Sequence, residues 1–265
     1  MASNHGLAGG VHSSGISSLK RASLRAVLSL LLLIGASAHA QSFGFDPDIT
    51  QEELDEISLS AAEAIWASPV DSPASASIFN FEIGIAVTAV EVAEAEPWID
   101  QISEDILVDG RLLVPRLTVT KGIGFGSIAA AYGQVGDSDA KMAGGSFDFP
   151  LVRGGLAVPS IALRGVYSRL LDVDDADLST WGGMVMIGKK IGPITPYAGW
   201  GMMWVESEAR IDGSGIIDPL IMTSKTDQEM IVAGGKIDLA FLKLAVEGTR
   251  TDGDWQYGAR VGLGF

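Results

Sequence analysis

Six charged side chains stand where chemistry would be sought first: Glu82, Arg116, Asp148, Arg164, Glu247 and Arg260. Each lies in a segment that otherwise alternates large apolar residues with small or polar ones, and each falls on the small or polar side. Successive side chains of a strand point to opposite faces, so all six are assigned to one face, the interior of whatever the strands enclose. Three bases against three acids predict a charge-paired interior, because confined charges must be paired and hydrogen-bonded. Such a network can fill and stiffen the interior, or it can set the ion preference of a narrow channel.

Other chemistries are short of parts. The chain has no Cys, hence no disulfide framework and no thiol chemistry. Its only His residues are His5, His12 and His39. Beyond residue 40 no imidazole exists for a Ser-His or Asp-His arrangement. A carboxylate pair could hydrolyse glycosides without His, but the acids gather in loop-like clusters where solvation explains them. No catalytic residues are assigned, and the chain is expected to be no enzyme and to need no cofactor. Asp172, Asp174, Asp175 and Asp177, or Glu91, Glu94 and Glu96, could hold Ca²⁺ through carboxylate oxygens. The first run lacks the Gly and distal Glu of an EF-hand loop, so no metal site is assigned. The glycine pairs (Gly144-Gly145, Gly182-Gly183, Gly234-Gly235) do not lie between a strand and a helix, which argues against a phosphate-binding loop. On an interior face they make room for large neighbours and ease curvature.

The positioning elements are strands. Period-two alternation predicts ten of them, at about 77–92, 113–121, 125–134, 142–149, 157–169, 178–189, 195–205, 228–237, 243–250 and 255–265. Segments of this length suit tilted membrane strands, and an even count suits a single-chain barrel with both termini on one side. The expected fold is all-β: an antiparallel transmembrane β-barrel of about ten strands, eight or twelve being compatible with the same pattern, with a short N-terminal amphipathic helix. A secreted sandwich would put apolar faces of mixed size into a core. It would not place Phe79, Phe149, Tyr167, Trp181, Tyr197, Trp204, Trp255 and Phe265 at strand ends, where they read as interfacial girdles.

The final eleven residues carry the clearest alternation. Trp255, Tyr257, Ala259, Val261, Leu263 and Phe265 share one face, while Gln256, Gly258, Arg260, Gly262 and Gly264 share the other. A terminal amphipathic strand closing on Phe265 resembles the assembly signal of bacterial outer-membrane β-barrels. The stretches Leu113-Val-Pro-Arg-Leu-Thr-Val-Thr-Lys-Gly-Ile and Ile194-Thr-Pro-Tyr-Ala-Gly-Trp-Gly resemble uncharacterised proteobacterial outer-membrane barrel proteins, over most of 77–265. The resemblance implies fold and Gram-negative outer-membrane location, and it transfers no catalytic or ligand-binding residue.

The amino-terminal end agrees. Lys20, Arg21 and Arg25 precede an apolar run at 26–36 and a small-x-small site, Ala38-His39-Ala40. This reads as a cleaved signal peptide over 1–40. Its removal takes three basic residues and moves the formal net charge from −15 to −18. That charge disfavours nucleic acid as a partner. An extension over 41–75 follows, before the barrel at 76–265. Thr50 and Glu53 form a capping box, and Leu54, Ile57, Ala61, Ala64 and Ile65 recur at helical spacing, predicting a helix at about 51–66. It could plug the lumen, lid the periplasmic mouth, or lie on the rim.

The expected outward loops are about 93–111, 134–141, 170–177, 206–227 and 251–254. The leading functional expectation is a narrow porin-like or small-solute channel. The alternative is a closed structural or adhesin-like barrel with loops 93–111 and 206–227 as its contact surface. Expected partners are outer-membrane lipid, lipopolysaccharide, the barrel assembly machinery, and a small solute or ion.

Overall fold

Alternation over eight to twenty residues closes here into a ring. The structure, a computed structural model, describes residues 49–73, 78–91, 107–108, 111–135, 140–155, 157–211, 220–252 and 254–265. The expected signal peptide and most of loop 93–111, with its acids from Glu94 to Asp109, lie outside these residues.

Among the described residues one helix, α1 (Gln51–Ile65), precedes the strands β1 (Phe81–Glu91), β2 (Leu107–Val108), β3 (Arg111–Gly122), β4 (Ser127–Gln134) and β5 (Lys141–Val152). Then come β6 (Ser160–Leu171), β7 (Ala176–Gly188), β8 (Ile194–Ile211), β9 (Leu220–Leu239), β10 (Leu242–Thr251) and β11 (Asp254–Gly264). β2 is a two-residue ladder beside the start of β3. Each of the ten long strands pairs antiparallel with its chain neighbours, β1 pairing directly with β3. β1 also pairs with β11, from Glu82↔Gly264 to Ala89↔Tyr257, which closes the barrel. Closure removes the unpaired edges that would otherwise be left at β1 and β11.

The faces follow the alternation. Ile85, Leu163, Val185, Trp200, Val246 and Val261 stay exposed on the outside although they are large and apolar. Their neighbours Ala86, Arg164, Met184, Ala245 and Arg260 are buried inside. In β5 the ladder shifts between Pro150 and Val152, leaving Leu151 outside the register. Pro lacks an amide N–H for a ladder, so a bulge there is its usual accommodation.

The two ends differ. One carries Phe81, Phe265 and the short turns around 123–126, 153–159, 189–193 and 240–241; it is called the turn end. Gly124 (φ 88°) and Gly192 (φ 62°) supply the left-handed positions of two of these turns. The opposite, loop end carries the two longest connections, from β1 to β3 and from β8 to β9. There β8 and β9 run on together to Ile211↔Leu220, whereas β10 stops pairing with β9 at Thr251↔Met230. The expected loop at 206–227 is therefore corrected: 206–211 and 220–227 are strand, a hairpin that projects past β10 while β7 stays paired with β8 up to Ala176↔Ala209. Thr223, Lys225 and Asp227 opposite Glu208, Glu206 and Trp204 keep the period-two pattern that makes this possible. β9 likewise begins eight residues before the expected 228.

Candidate functional site

The lumen is filled by the chain's own amino-terminal segment. Thr50 caps α1: its hydroxyl accepts from the Glu53 amide at 3.3 Å, and the Glu53 carboxylate accepts from the Thr50 amide at 2.8 Å. This satisfies two of the amides that a helix start leaves open. The helix ends at Ile65, Trp66 adopting φ −58° and ψ 109°, three residues before Pro69. Leu54, Ile57, Ala62, Ala64 and Ile65 are buried against the wall.

α1 occupies the loop-end half. Gln51 Nε2 donates to the Thr223 carbonyl at 3.1 Å, and the Ser58 and Ser207 hydroxyls share a hydrogen bond. Around its carboxyl end the wall is methionine-rich: Met142, Met184, Met186, Met203 and Met230 are all buried, in one cluster with Ile65 and Trp66. Glu63, outside the apolar set that predicted the helix, is buried as well. It accepts from Gln228 Nε2 at 2.9 Å and from the Thr251 hydroxyl. Enclosure by the barrel explains this, since a helix inside a ring has no solvent side along that part of its length.

Residues 66–73 continue as an extended strap toward the turn end, and wall cations grip it. Arg116 Nη1 donates to the Trp66 carbonyl, and its Nη2 to the Thr88 hydroxyl at 2.7 Å. Arg164 donates from Nη1 to the Pro69 carbonyl at 3.1 Å and from Nη2 to the Asp71 carbonyl at 3.2 Å. It is held in turn by Asp148, Nε to Oδ1 at 2.7 Å and Nη2 to Oδ2 at 2.9 Å, a bidentate pair that fixes the guanidinium plane. The Asp71 carboxylate lies between Lys236 Nζ at 2.9 Å and Arg260 Nη1 at 2.8 Å. Both cations also reach Glu82, at 2.9 and 3.1 Å. Asp71 belongs to the strap, not to a wall strand. Burial alone would raise its pKa, but Lys236 and Arg260 outweigh burial and hold it below the ordinary carboxylate value. The Ala67 amide donates to the Ser168 hydroxyl at 2.9 Å.

Interior glycines seat this strap. A Cβ at Gly182 would meet the Trp66 ring at 2.8 Å, one at Gly258 would meet Val70 at 2.7 Å, and one at Gly144 would collide with Ala67.

All six charged residues assigned to the interior are there, and all six are buried. They do not form three wall-to-wall pairs. Arg164 pairs with Asp148 and Arg260 with Glu82. Arg116 instead holds a strap carbonyl, and Glu247 accepts from the Tyr197 hydroxyl at 2.9 Å. Sequence reasoning missed Lys236, Asp71, Glu63 and Tyr197. Lys236 was legible, because it shares parity with Gln228, Met230 and Val232 on the inward side of β9. Tyr197 shares inward parity with Thr195 in β8, so its assignment to an exterior girdle is corrected; a buried phenol needs a partner, and Glu247 supplies it. Asp71 sits in a Pro-flanked, aperiodic stretch with no local signal.

Below the strap the turn end opens into a cavity of about 830 Å³. In the acidic run at the loop end, Asp172 pairs with Lys141 at 2.7 Å and Asp177 with Arg169. Among the described residues no group of three or more His, Cys, Asp or Glu converges on a common point.

No protein-family model and no curated protein sequence matches this chain. Solved structures do. It is similar to the outer-membrane protease OmpT from Escherichia coli, at 10% identity over 70% of this chain and 96% of that one, with a TM-score of 0.41. It is similar to the N-terminal β-barrel domain of Pseudomonas aeruginosa OprF, at 15% identity over 69% and 97%, TM-score 0.30. It is similar to Ail, the attachment invasion locus protein of Yersinia pestis, at 10% identity over 70% and 95%, TM-score 0.31. The likeness is one of fold. The expectation that the chain is no enzyme is corrected: one of the structures it is similar to is a protease. Lack of His beyond residue 40 removes only the mechanisms that need an imidazole.

Proposed function

We propose that this chain is an outer-membrane β-barrel that rests closed and serves as a gated path for a small solute or ion. The turn end faces the periplasm in this reading, since outer-membrane barrels keep short turns there and longer loops outside. The outward band from Ile85 through Trp200 to Val261 meets lipid. The observation that carries the reading is how the lumen is filled. Hydrogen-bonded charges pin the strap, where an apolar filling would often be as stable or more so. Buried polar contacts of this kind define one seated position and can be exchanged for water or a solute when the strap moves. The methionine lining supports the same reading, because Met side chains repack readily around a moving neighbour. An open porin is disfavoured, since the strap and helix occupy the path past Arg116, Arg164 and Arg260.

A second reading, a sealed barrel that works through its outer surface, is favoured by the apolar part of the plug. Leu54, Ile57, Ile65, Trp66 and Val70 are all buried; at about 1.5–3 kcal/mol each they hold the plug by roughly 7–15 kcal/mol, an upper estimate. The projecting β8–β9 hairpin would then be the contact surface.

Planar-bilayer recording separates the two. Heat-modifiable gel mobility first shows that the full chain and a chain lacking residues 41–73 are folded. Discrete openings in the deletion chain and rare ones in the full chain are the expected result. Silence from both folded chains would overturn the gated path and leave the sealed barrel.

A further inference from the structure

The cavity at the turn end is a concentration of positive charge in an acidic protein. Its rim and walls carry Arg153, Lys190, Lys236 and Lys243 against Glu82 and Asp238. The whole chain has 18 Lys and Arg against 33 Asp and Glu, so this local excess of cations runs opposite to the overall balance. Asp238 is shared between Lys243 at 3.2 Å and Lys190 at 3.6 Å. Arg153 donates to the Gly124 carbonyl at 3.1 Å and has no ion pair with any described carboxylate. At the head of the cavity Lys236 joins Arg260 in holding Asp71.

Asp71 is informative about what such a site takes. It is a carboxylate delivered on the strap, not on the wall. It is bound by two cations whose only other described carboxylate partner is Glu82. Its main-chain carbonyl takes a further hydrogen bond from Arg164. The plug thus presents a carboxylate to a cation pair of which one member, Lys236, lines a space large enough for a small organic acid, with Arg260 buried behind it. An excess of cations around a cleft also raises the local concentration of anions.

We infer that the turn-end vestibule binds small carboxylate-bearing anions, and that they compete with Asp71 for Lys236 and Arg260. Entry is drawn by Lys190, Lys243 and Arg153 at the rim. A carboxylate reaching the head of the vestibule replaces the strap's own, so binding weakens the strap's hold on the wall. This rests on the gated-path reading and deepens it, naming the class of solute and what its arrival does to the gate.

The test uses the full refolded chain in detergent, with succinate as probe and sodium chloride added to constant ionic strength. Calorimetric titration is expected to show saturable succinate binding. Lys190→Gln combined with Lys243→Gln, both at the rim and away from the packed strap, should weaken it tenfold or more. Lys225→Gln at the loop end should leave it unchanged. Inorganic phosphate is the second probe; binding as tight as that of succinate would overturn the carboxylate class. No heat beyond that of chloride, or equal affinity in the rim variant, would overturn the site itself. The two readings fail separately. Conduction by the chain lacking 41–73 without succinate binding sinks the vestibule and leaves the gate. Succinate binding with silent bilayers sinks the gate and leaves a ligand site on a sealed barrel.

Discussion

Asp71→Asn tests the latch most directly. Asn preserves shape and one acceptor oxygen but removes the charge between Lys236 and Arg260. The wild-type carboxylate makes charge-assisted hydrogen bonds to both, at 2.9 and 2.8 Å. Such bonds contribute about 1.5–3 kcal/mol each, against about 1 kcal/mol for a neutral one. Asn keeps one acceptor oxygen, which can still take one of these bonds from a charged donor, so the seated strap should lose the other, about 1.5–3 kcal/mol, which is a roughly 10- to 150-fold change in an opening equilibrium. Lys236 and Arg260 keep Glu82, so neither is stranded as an unpaired buried cation and the barrel itself should persist. The probe is hydrogen exchange at the Ala67 amide, whose seated partner is the Ser168 hydroxyl. Local opening exposes it without global unfolding. Faster exchange at Ala67 by that factor, with unchanged protection in β6 and β10, is the expected outcome. Protection at Ala67 within twofold of the parent would refute the claim that this ion cluster holds the strap. Equal loss across the strands would show that Asp71 supports the barrel and not the gate.

Acid should reproduce part of this effect. The pKa of Asp71 is lowered in the folded state, so its stabilising contribution is complete above its unfolded value, about 3.9. It should fade as pH falls below that point through the lowered folded value. Ala67 protection, corrected for intrinsic exchange, should drop there in the parent and stay flat in Asp71→Asn. Ser58→Cys with Ser207→Cys, in a chain without other thiols, should oxidise to a disulfide seen as a non-reducing gel shift, because the two hydroxyls are in hydrogen-bond contact; failure to cross-link would remove α1 from its seat. Gly258→Val places methyl groups against Val70 of the strap, a collision that starts at Cβ with a 2.7 Å approach and whose nearest atoms all belong to Val70. Overpacking of this kind costs about 1–3 kcal/mol. Gly258→Val should therefore speed Ala67 exchange. Gly183→Val should not, because a Cβ there would meet only the Arg164 carbonyl, at 3.8 Å.

How far each feature could be read from the residues depended on the range of its cause. Strand number and facing were legible because alternation is a local property: Arg116, Arg164 and Arg260 were assigned inward from their immediate neighbours alone. The start of α1 was legible for the same reason, through Thr50 and Glu53. Lys236 carried the same parity signal as Arg116. Tyr197 was misplaced because aromatic character was weighed above parity; its partner Glu247 lies fifty residues away. The extension of β8 and β9 was hidden because Ser207, Ser224 and Thr226 interrupt the inward apolar positions Val205, Ala209 and Ile211, a mixed pattern that strand and loop share.

The sequence by itself determined an antiparallel ring of about ten strands, which side of each strand faces in, and a capped helix ahead of them. Side-chain parity and helix capping are set by residues within a few positions of one another, so they survive without knowledge of the rest of the chain. Only the tertiary structure decided that the helix and strap fill the ring, that Asp71 meets Lys236 and Arg260, and that Arg116 grips a backbone carbonyl. Those contacts join residues 50 to 189 positions apart. They exist because closing the barrel creates an interior of fixed width that one helix and an extended strap can occupy, and the charges inside must then find partners on whatever enters.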